Sequence, residues 1–421
     1  MGIHNISTNE ISEAAASSNQ SANSSGSVRI GMLTGGFDKP YVFGLTQALI
    51  AKGLYVDLVG GDAVDCPEFH TSSNVNFLNF RHNAGKDASL VRKVTSVLGL
   101  YARLIHYAAV SKAKVFHILW NNRFSIFDRT LLMLYYKMLG KKVVFTAHNV
   151  NAGIRDSSDS VANRLTLKAQ YRLANQVFVH TEKMKREMMN QFGVRETAIT
   201  VIPFGINNAV PNTKLTPQDA RRQLGIKQCE KTLLFFGNIG PYKGLEYLVA
   251  AFQQVLERIP DARLIIAGKL RGDAEKYANE IFQTVDRDIA PGRVVRRIEY
   301  VPDAETEVYF KAADVFVLPY KFVAQSGVLF LGYSFGVPAI ATDVGSLRED
   351  IVEGETGFLC KPCDSESLAS AIEKYFASDL YRNLDNRRPQ IRDYANRHHS
   401  WDVVAERTLN VYAELLGGRS A

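Results

Sequence analysis

A chain of 421 residues is long for one domain and comfortable for two. Its 46% hydrophobic and 22% charged residues suit a protein with sizeable buried cores and exclude a disordered, collagenous or low-complexity chain. The formal charge of +7 is uneven: residues 1–210 hold 23 Lys/Arg against 14 Asp/Glu and the remainder 27 against 29, so the first half suits a nucleic acid, an anionic membrane surface or a phosphorylated ligand.

Residues 1–27 read as a polar tail, rich in Ser, Asn and Ala, with no apolar core of a secretory signal. An apolar strand over 28–33 is followed by the turn Thr34-Gly35-Gly36, a helix over 40–53 and a strand over 55–59. Further strands are predicted at 75–78, 114–118, 143–147, 176–180 and 199–202, separated by helical stretches. The pattern pauses across Pro203–Pro211 and restarts with strands at 232–236, 263–267, 293–299, 314–318, 338–342 and 357–360, with a helix over 244–258. Strands alternating with helices at these distances imply parallel βαβ units. The parse is two doubly wound α/β halves joined near 203–212.

The stretch 87–112 carries Val91, Val94, Val97, Leu98, Tyr101, Leu104, Ile105 and Ala108 at helical spacing, with Arg92, Lys93, Arg103 and Lys112 elsewhere on the wheel. It reads as a surface helix packed on the sheet, or as a basic amphipathic helix lying on an anionic membrane. No window reaches the roughly 18 apolar residues of a membrane span; the most apolar, 94–110, contains Arg103 and His106. A cytoplasmic location is expected. Four cysteines make no disulfide framework, and the lone Cys360/Cys363 pair reads as ordinary reduced thiols.

Open parallel sheets bind ligands at the carboxyl ends of their strands, so residues just after strands are the candidates. Gly35-Gly36 admits a phosphate to the backbone or serves as a plain tight turn; neither a full GxGxxG nor a GxxxxGKS/T loop is present, which argues against a dinucleotide-dependent dehydrogenase. His148 ends the strand over 143–147 and either meets substrate or is hydrogen-bonded structure. Gly237-Asn238 through Lys243-Gly244 combines flexible backbone, a helix start and one Lys, which makes an anion site or a solvated Gly/Pro loop. Gln325-Ser326-Gly327-Val328 opens a helix whose first N–H groups could face a phosphate, with Ser326 alternatively a simple cap. Asp286-Arg287-Asp288 has the form of a metal-holding DxD but lies in a helical or loop stretch, so no metal is assigned.

Together these pieces resemble the family-4 retaining glycosyltransferases, with the GT-B arrangement of two facing Rossmann-like domains. The likeness runs from about Val28 to Leu416. It is carried by Gly35-Gly36, His148, the linker Val201–Asn207, Phe236-Gly237 through Lys243-Gly244, Tyr300–Asp303, Ala312–Pro319, Gly336–Pro338, Asp343–Gly345, Glu355–Phe358 and Ser400-Trp401. The resemblance implies an acceptor-side domain over 28–205, a nucleotide-sugar domain over 206–398 and a helix over 399–416 crossing back to the first domain. It also implies catalytic roles for His148 and Lys243, and donor contacts from Gly35, Gly36, Gly237, Asn238, Lys243, Gln325, Ser326, Gly327, Val328 and Leu331.

The chain departs from the family pattern at three places. Asn238 stands where the family has Arg, and Val323 and Leu331 stand where it has two Glu that touch the donor sugar and the ribose. The Gln325–Val328 loop is similar to that of one branch of the family. The implied activity is hexosyl transfer with retention, from a nucleoside-diphosphate-sugar to a glycan or polyprenyl-diphosphate-linked acceptor, as in bacterial surface-polysaccharide synthesis. No cofactor, metal or nucleic-acid partner is expected, while an anionic membrane surface is. Rival readings are a non-catalytic GT-B subunit of a glycan-assembly complex, favoured by Val323 and Leu331, and a nucleotide-sugar epimerase, which would need a carboxylate pair not found here.

Overall fold

The computed structural model describes residues 28–36, 38–82, 89–155, 158–206, 210–272 and 274–417. The expected tail 1–27, residues 87 and 88 of the amphipathic stretch and Asn207 of the linker lie outside the described residues. The first domain carries β1 (Arg29–Leu33), β2 (Tyr55–Gly61), β3 (Val75–Arg81), β4 (Val115–Ile118), β5 (Lys142–Thr146), β6 (Gln176–Val179) and β7 (Ile199–Val201). The second carries β8 (Lys231–Phe236), β9 (Ala262–Ala267), β10 (Val294–Arg297), β11 (Val315–Leu318), β12 (Ala339–Thr342) and β13 (Gly357–Cys360). Their orders are β3-β2-β1-β4-β5-β6-β7 and β10-β9-β8-β11-β12-β13. Neighbouring strands pair in parallel throughout, as in Ile30 with Val56 and Val115, and in Leu233 with Leu264 and Val315.

This ordering decides where chemistry can sit. Strand order reverses beside β1 in the first sheet and beside β8 in the second, and a crevice opens at the carboxyl end of each reversal. The segments leaving β1 and β8 are the two glycine-containing turns noted in the sequence. Both sheets are covered by helices and therefore read as near-continuous apolar runs, such as Leu264-Ile265-Ile266, all fully buried. The predicted 293–299 strand is shorter because β10 is an edge. Its Arg296 and Arg297 turn outward to Asp286 (2.8 Å) and Glu299 (2.8 Å), and pairing stops there.

The first crossover helix, Lys39–Ala51, starts where Asp38 accepts from the Tyr41 amide (3.2 Å) with Pro40 in the first turn. The C-terminal helix Trp401–Leu415 packs against it. The Trp401 indole occupies a slot that only glycines leave open: a Cβ on Gly44 would lie 2.0 Å from it, and one on Gly205 2.5 Å. Val404, Ala405, Val411 and Tyr412 then join the core of Ile30, Val56 and Leu58.

The helix Leu90–Val110 replaces the predicted 87–112 helix, and its apolar stripe divides. Tyr101, Leu104 and Ala108 are buried against the sheet, whereas Val91 (72% exposed), Val94, Leu98 and Ile105 face out. Only the part of the stripe that overlies the sheet finds packing partners, so neither a wholly packed nor a wholly membrane-facing helix describes it.

His117 ties the C-terminal helix to the sheet from within, its ring nitrogens 2.6 Å from the Tyr412 hydroxyl and 2.7 Å from Thr146 Oγ1. Burial pushes its pKa down to about 3. The unfolded imidazole titrates near 6.5, so as pH falls past that value the unfolded chain gains a proton that the fold refuses, and stability is lost down to the folded value. Comparison with His117→Gln cancels the contribution of every other group. The parent should lose about 2 kcal/mol more than the variant between about pH 7 and pH 5 in denaturant titrations. Equal losses would mean that His117 is not held neutral.

Candidate active site

The second domain presents the denser part of the site. β8 runs into Gly237, whose φ of +103° and amide bond to Ala267 O turn the chain over the sheet edge. The segment then passes Asn238, which is exposed, and closes in a short turn Pro241–Lys243 before the helix Leu245–Arg258. Lys243 is nearly buried, yet its Nζ donates to the Tyr320 hydroxyl at 2.6 Å and lies 3.9 Å from the centre of that ring. Tyr320 follows β11, across the β8/β11 switch point, and its hydroxyl is 3.3 Å from Ser326 Oγ.

Lys243, Tyr320 and Ser326 thus form one chain of polar atoms at the sheet's carboxyl edge. Ser326 precedes the helix Gly327–Ser334 but its hydroxyl makes no capping bond, having turned to Tyr320 instead. That removes the simple-cap reading. The amides of Gly327 and Val328 precede the hydrogen-bonding ladder of this helix, and Ser326 before them is linked to the lysine through Tyr320. Val328 packs over Gly237, where a Cβ would approach its Cγ2 to 3.3 Å.

Gln325 lies behind this loop, its Nε2 3.5 Å from Asp350 and its buried Oε1 without a partner. Asp350 is itself pushed up to about 7 by burial. Leu331 and Val323, at the two positions where the family has Glu, are both buried in the apolar core of the domain. The carboxylates of Asp286 and Asp288 are engaged by Arg296 (2.8 Å) and Arg287 (2.7 Å) on the helix Glu275–Asp288.

The facing wall is aromatic and neutral. β5 ends at Thr146, so His148 stands two residues beyond it rather than at its end. Its ring stacks on Trp120 (centroids 4.0 Å apart, 6° between planes) and meets Tyr41 edge-on at 4.7 Å. His148 Nδ1 is 3.1 Å from His180 Nε2, and His180 Nδ1 is 3.2 Å from the Ile202 carbonyl.

These contacts assign the tautomers. A carbonyl only accepts, so His180 Nδ1 carries hydrogen and its Nε2 is a bare acceptor. His148 must then donate from Nδ1, which leaves Nε2 as an unprotonated lone pair. That nitrogen is buried and has no partner. Burial and the neighbouring His180 and His117 hold the His148 pKa well below that of a free imidazole, and burial takes His180 down to about 4. Both rings are neutral at physiological pH.

Gly35 and Gly36 adopt left-handed backbone (φ +61° and +77°) beside this wall. A Cβ on Gly35 would strike the Trp120 carbonyl at 2.8 Å, and one on Gly36 would come within 3.3 Å of the Arg81 guanidinium. Their function in the fold is to let the β1 turn lie against the segment after β4. Phe204 of the linker joins the two walls. It stacks on Phe330 (5.5 Å, 20°), lies 6.3 Å from His148, and would touch a side chain at Gly327. Of the residues singled out in the sequence, the structure therefore groups Gly237, Lys243, Ser326, Gly327 and Val328 in one wall, and Gly35, Gly36 and His148 in the other. His180 and Tyr320 were missed. The signal was available for both, since His180 directly follows β6 and Tyr320 stands two residues beyond β11.

Two doubly wound parallel-sheet domains, with strand-end loops lining a common cleft and a C-terminal helix returned to the first domain, define the GT-B class. The chain belongs to the family-4 type of glycosyltransferases: residues 40–210 match the family described as Glycosyltransferase Family 4, and 230–378 match Glycosyl transferases group 1. Among curated relatives, D-inositol 3-phosphate glycosyltransferase of Corynebacterium aurimucosum is 27% identical over 284 residues, 65% of this chain and 66% of that one. Phosphatidyl-myo-inositol mannosyltransferase of Mycobacterium leprae is 30% identical over 213 residues, 50% of this chain and 52% of the relative. The chain thus spans less than two thirds of the length of these relatives. Among solved structures, sucrose-phosphate synthase of Thermosynechococcus elongatus superposes with a TM-score of 0.70 at 21% identity, covering 93% of this chain and 99% of that one. Anabaena HepE in complex with UDP gives 0.71 at 16% identity, covering 92% and 100%. At these identities the superpositions establish the fold.

Leu331 gives a test of how the departures are accommodated. Its side chain lies among apolar neighbours, so a carboxylate placed there would be desolvated without a partner, at a cost of about 3 kcal/mol or more. Leu331→Glu should therefore lower the melting temperature and weaken nucleotide binding together. Tighter nucleoside-diphosphate binding at an unchanged melting temperature would instead put position 331 on the ribose.

Proposed function

We propose that this chain is an active retaining hexosyltransferase that takes its sugar from a nucleoside-diphosphate donor. The observation carrying this reading is the buried Lys243–Tyr320–Ser326 chain beside the open amides of the helix Gly327–Ser334. The chemical task in glycosyl transfer is to stabilise negative charge appearing on the departing nucleoside diphosphate. A fixed cation and oriented N–H dipoles do so best in a site poor in water, where their attraction is least screened. Lys243 Nζ is positioned by the Tyr320 hydroxyl, and in this reading its positive charge attracts the diphosphate. His148 serves from the other wall, its bare Nε2 accepting a hydroxyl of the transferred sugar. Closure of the two walls excludes the water that would otherwise hydrolyse the donor.

The acceptor belongs on the first domain. We read it as a glycan or polyprenyl-diphosphate-linked saccharide of bacterial surface-polysaccharide synthesis, met at a membrane. Support comes from an outer face on which Val91, Leu98, Ile126, Leu131, Met138, Val161 and Leu165 are all exposed by more than half. Hydrogen bonds join the helices of that face, Tyr135 to the Ile105 carbonyl and Arg129 to Asn163, and Arg92, Lys93 and Arg103 are exposed on the first of them. An apolar surface bordered by cations suits an anionic bilayer and works without a membrane-spanning helix.

Release of nucleoside diphosphate from a panel of nucleotide sugars tests the activity. Lys243→Ala should lose most of it while remaining folded, since a charge-assisted contact contributes about 1.5–3 kcal/mol and more as leaving-group charge develops. EDTA should leave the parent's rate unchanged; loss in EDTA with recovery in Mn²⁺, or activity of Lys243→Ala within about twofold of parent (~0.4 kcal/mol in the barrier), would sink this mechanism.

The membrane reading is tested by co-sedimentation. The parent should bind anionic vesicles at low salt and release as salt rises, because surface charges reach only about 8 Å at physiological ionic strength. Val91→Asp with Leu98→Asp should weaken that binding, and equal binding to neutral vesicles would count against it.

A further inference from the structure

The segment from Asp343 to Asp350, which follows β12, touches both walls of the cleft, and the reading above gives it no part. On one side it is fastened to the loop that carries Ser326. Gly345 has left-handed backbone (φ +58°), and a Cβ there would lie 1.8 Å from the Val323 carbonyl oxygen, so the two backbones are in direct contact. The Ser346 amide donates to the Ala324 carbonyl (3.1 Å), and Tyr333 of the helix Gly327–Ser334 donates its hydroxyl to the Asp350 carbonyl (3.3 Å). Leu347, fully buried, anchors the segment in the core of the second domain.

On its other side the segment reaches the first domain through one carboxylate. Glu349 Oε2 accepts from the Glu182 amide (3.2 Å) and its Oε1 from the Lys183 amide (3.1 Å), a two-pronged grip on the first turn of the helix Glu182–Phe192. Thr181 Oγ1 accepts from the Met184 amide (3.1 Å), so the first domain caps the third amide itself and leaves the first two to the second domain. A helix start carries partial positive charge, which suits a carboxylate. Charge is matched nearby as well: the Arg348 contact (2.8 Å) and, less strongly, Lys183 of the first domain hold the Asp343 carboxyl below the usual range. The gripped turn belongs to the histidine wall. Glu182 stands two residues beyond His180, whose Nε2 faces His148 Nδ1 at 3.1 Å.

We propose that Glu349 is a positioning residue for transfer: by joining the start of this helix to the segment after β12, it sets the spacing between the His148–His180 pair and the Ser326 loop. The proposal rests on reading the cleft as the place of transfer. The side chains of Glu349 and Lys183 are exposed, whereas Thr181, Met184 and Leu347 beside them are buried in their own domains. An exposed contact of this kind adds little to overall stability. It acts, however, on two loops whose relative placement chemistry requires to within about 0.5 Å.

Hydrogen exchange of the full chain without ligand, read by mass spectrometry, follows the two segments separately. Glu349→Ala removes the grip from the second domain. Glu182→Pro removes one of its donors from the first, at a helix position that favours proline and after Thr181, whose extended backbone (φ −144°, ψ 158°) suits the residue before a proline. Both side chains are exposed, so the melting temperature should stay that of the parent. Each variant should speed exchange at Ser346–Asp350 about threefold or more, Glu182→Pro doing so from across the cleft, while the amides of β11 exchange as in the parent. Glu349→Gln keeps an acceptor oxygen without the charge and should fall between the parent and Glu349→Ala. With a nucleotide sugar that the parent turns over, Glu349→Ala should lower kcat at a nearly unchanged KM, because Lys243 stays in place. A parent inactive on every nucleotide sugar would overturn the transferase reading and this residue's part in it, while the exchange result still decides whether Glu349 sets the spacing. The spacing role is overturned by second-domain exchange unchanged in Glu182→Pro, by faster exchange throughout the second domain with a lower melting temperature, or by a KM that rises as much as kcat falls.

Discussion

The structure depends on a continuous aromatic contact that runs from the C-terminal helix to the cleft. Trp401 packs on Tyr41 (5.1 Å), Tyr41 on His148 (4.7 Å), and His148 on Trp120 (4.0 Å). From His180 the contact continues through Phe204 (5.1 Å) and Phe330 (5.5 Å) to His399 (4.5 Å). One cluster thereby holds the returning helix, the linker, the second domain and the histidine pair. Aromatic pairs contribute beyond their buried area when edge-on or offset, and several of these are edge-on. The cluster also removes water from His148, so the same packing that joins the domains sets that histidine's protonation.

The two walls of the cleft use burial in opposite ways. On the first domain, desolvation keeps His117, His148 and His180 neutral and turns a pair of imidazoles into a directed relay with a defined donor and acceptor. On the second, a lysine is buried against a tyrosine hydroxyl and ring. A neutral acceptor wall and a cationic wall suit a ligand that is anionic at one end and hydroxylated at the other. The domains also meet directly. Glu349 of the second accepts from the amides of Glu182 (3.2 Å) and Lys183 (3.1 Å), which begin a helix of the first, while Thr181 caps the next free amide from its own side. A helix end that lacks two partners within its own domain is completed by the other.

Much of this was legible in the linear sequence, and for a physical reason. A parallel sheet covered on both faces needs long apolar strands, intervening helices and short turns, so the thirteen strands among the described residues stand out as apolar runs with punctuating glycines. Ligand-facing loops must then follow strands, which pointed to Gly35, Gly36, His148, Gly237, Lys243 and Ser326 without knowledge of their partners. Strand ends were less sharp. The 143–147 and 293–299 predictions each ran past the last paired residue, because pairing is decided by the neighbouring strand.

By itself the sequence determined the fold class, the division into two halves, the order of the elements and the family, because each is written in local periodicity or in short motifs. Only the tertiary structure decided which residues act together. Tyr320 lies 77 residues beyond Lys243, His180 32 beyond His148, and Tyr412 295 beyond His117, so no local pattern could pair them. It also divided the stripe of the Leu90–Val110 helix into packed and exposed halves, and showed that Val323 and Leu331 belong to a core. Periodicity reports which face of an element is apolar; whether that face is covered depends on what the rest of the chain brings against it.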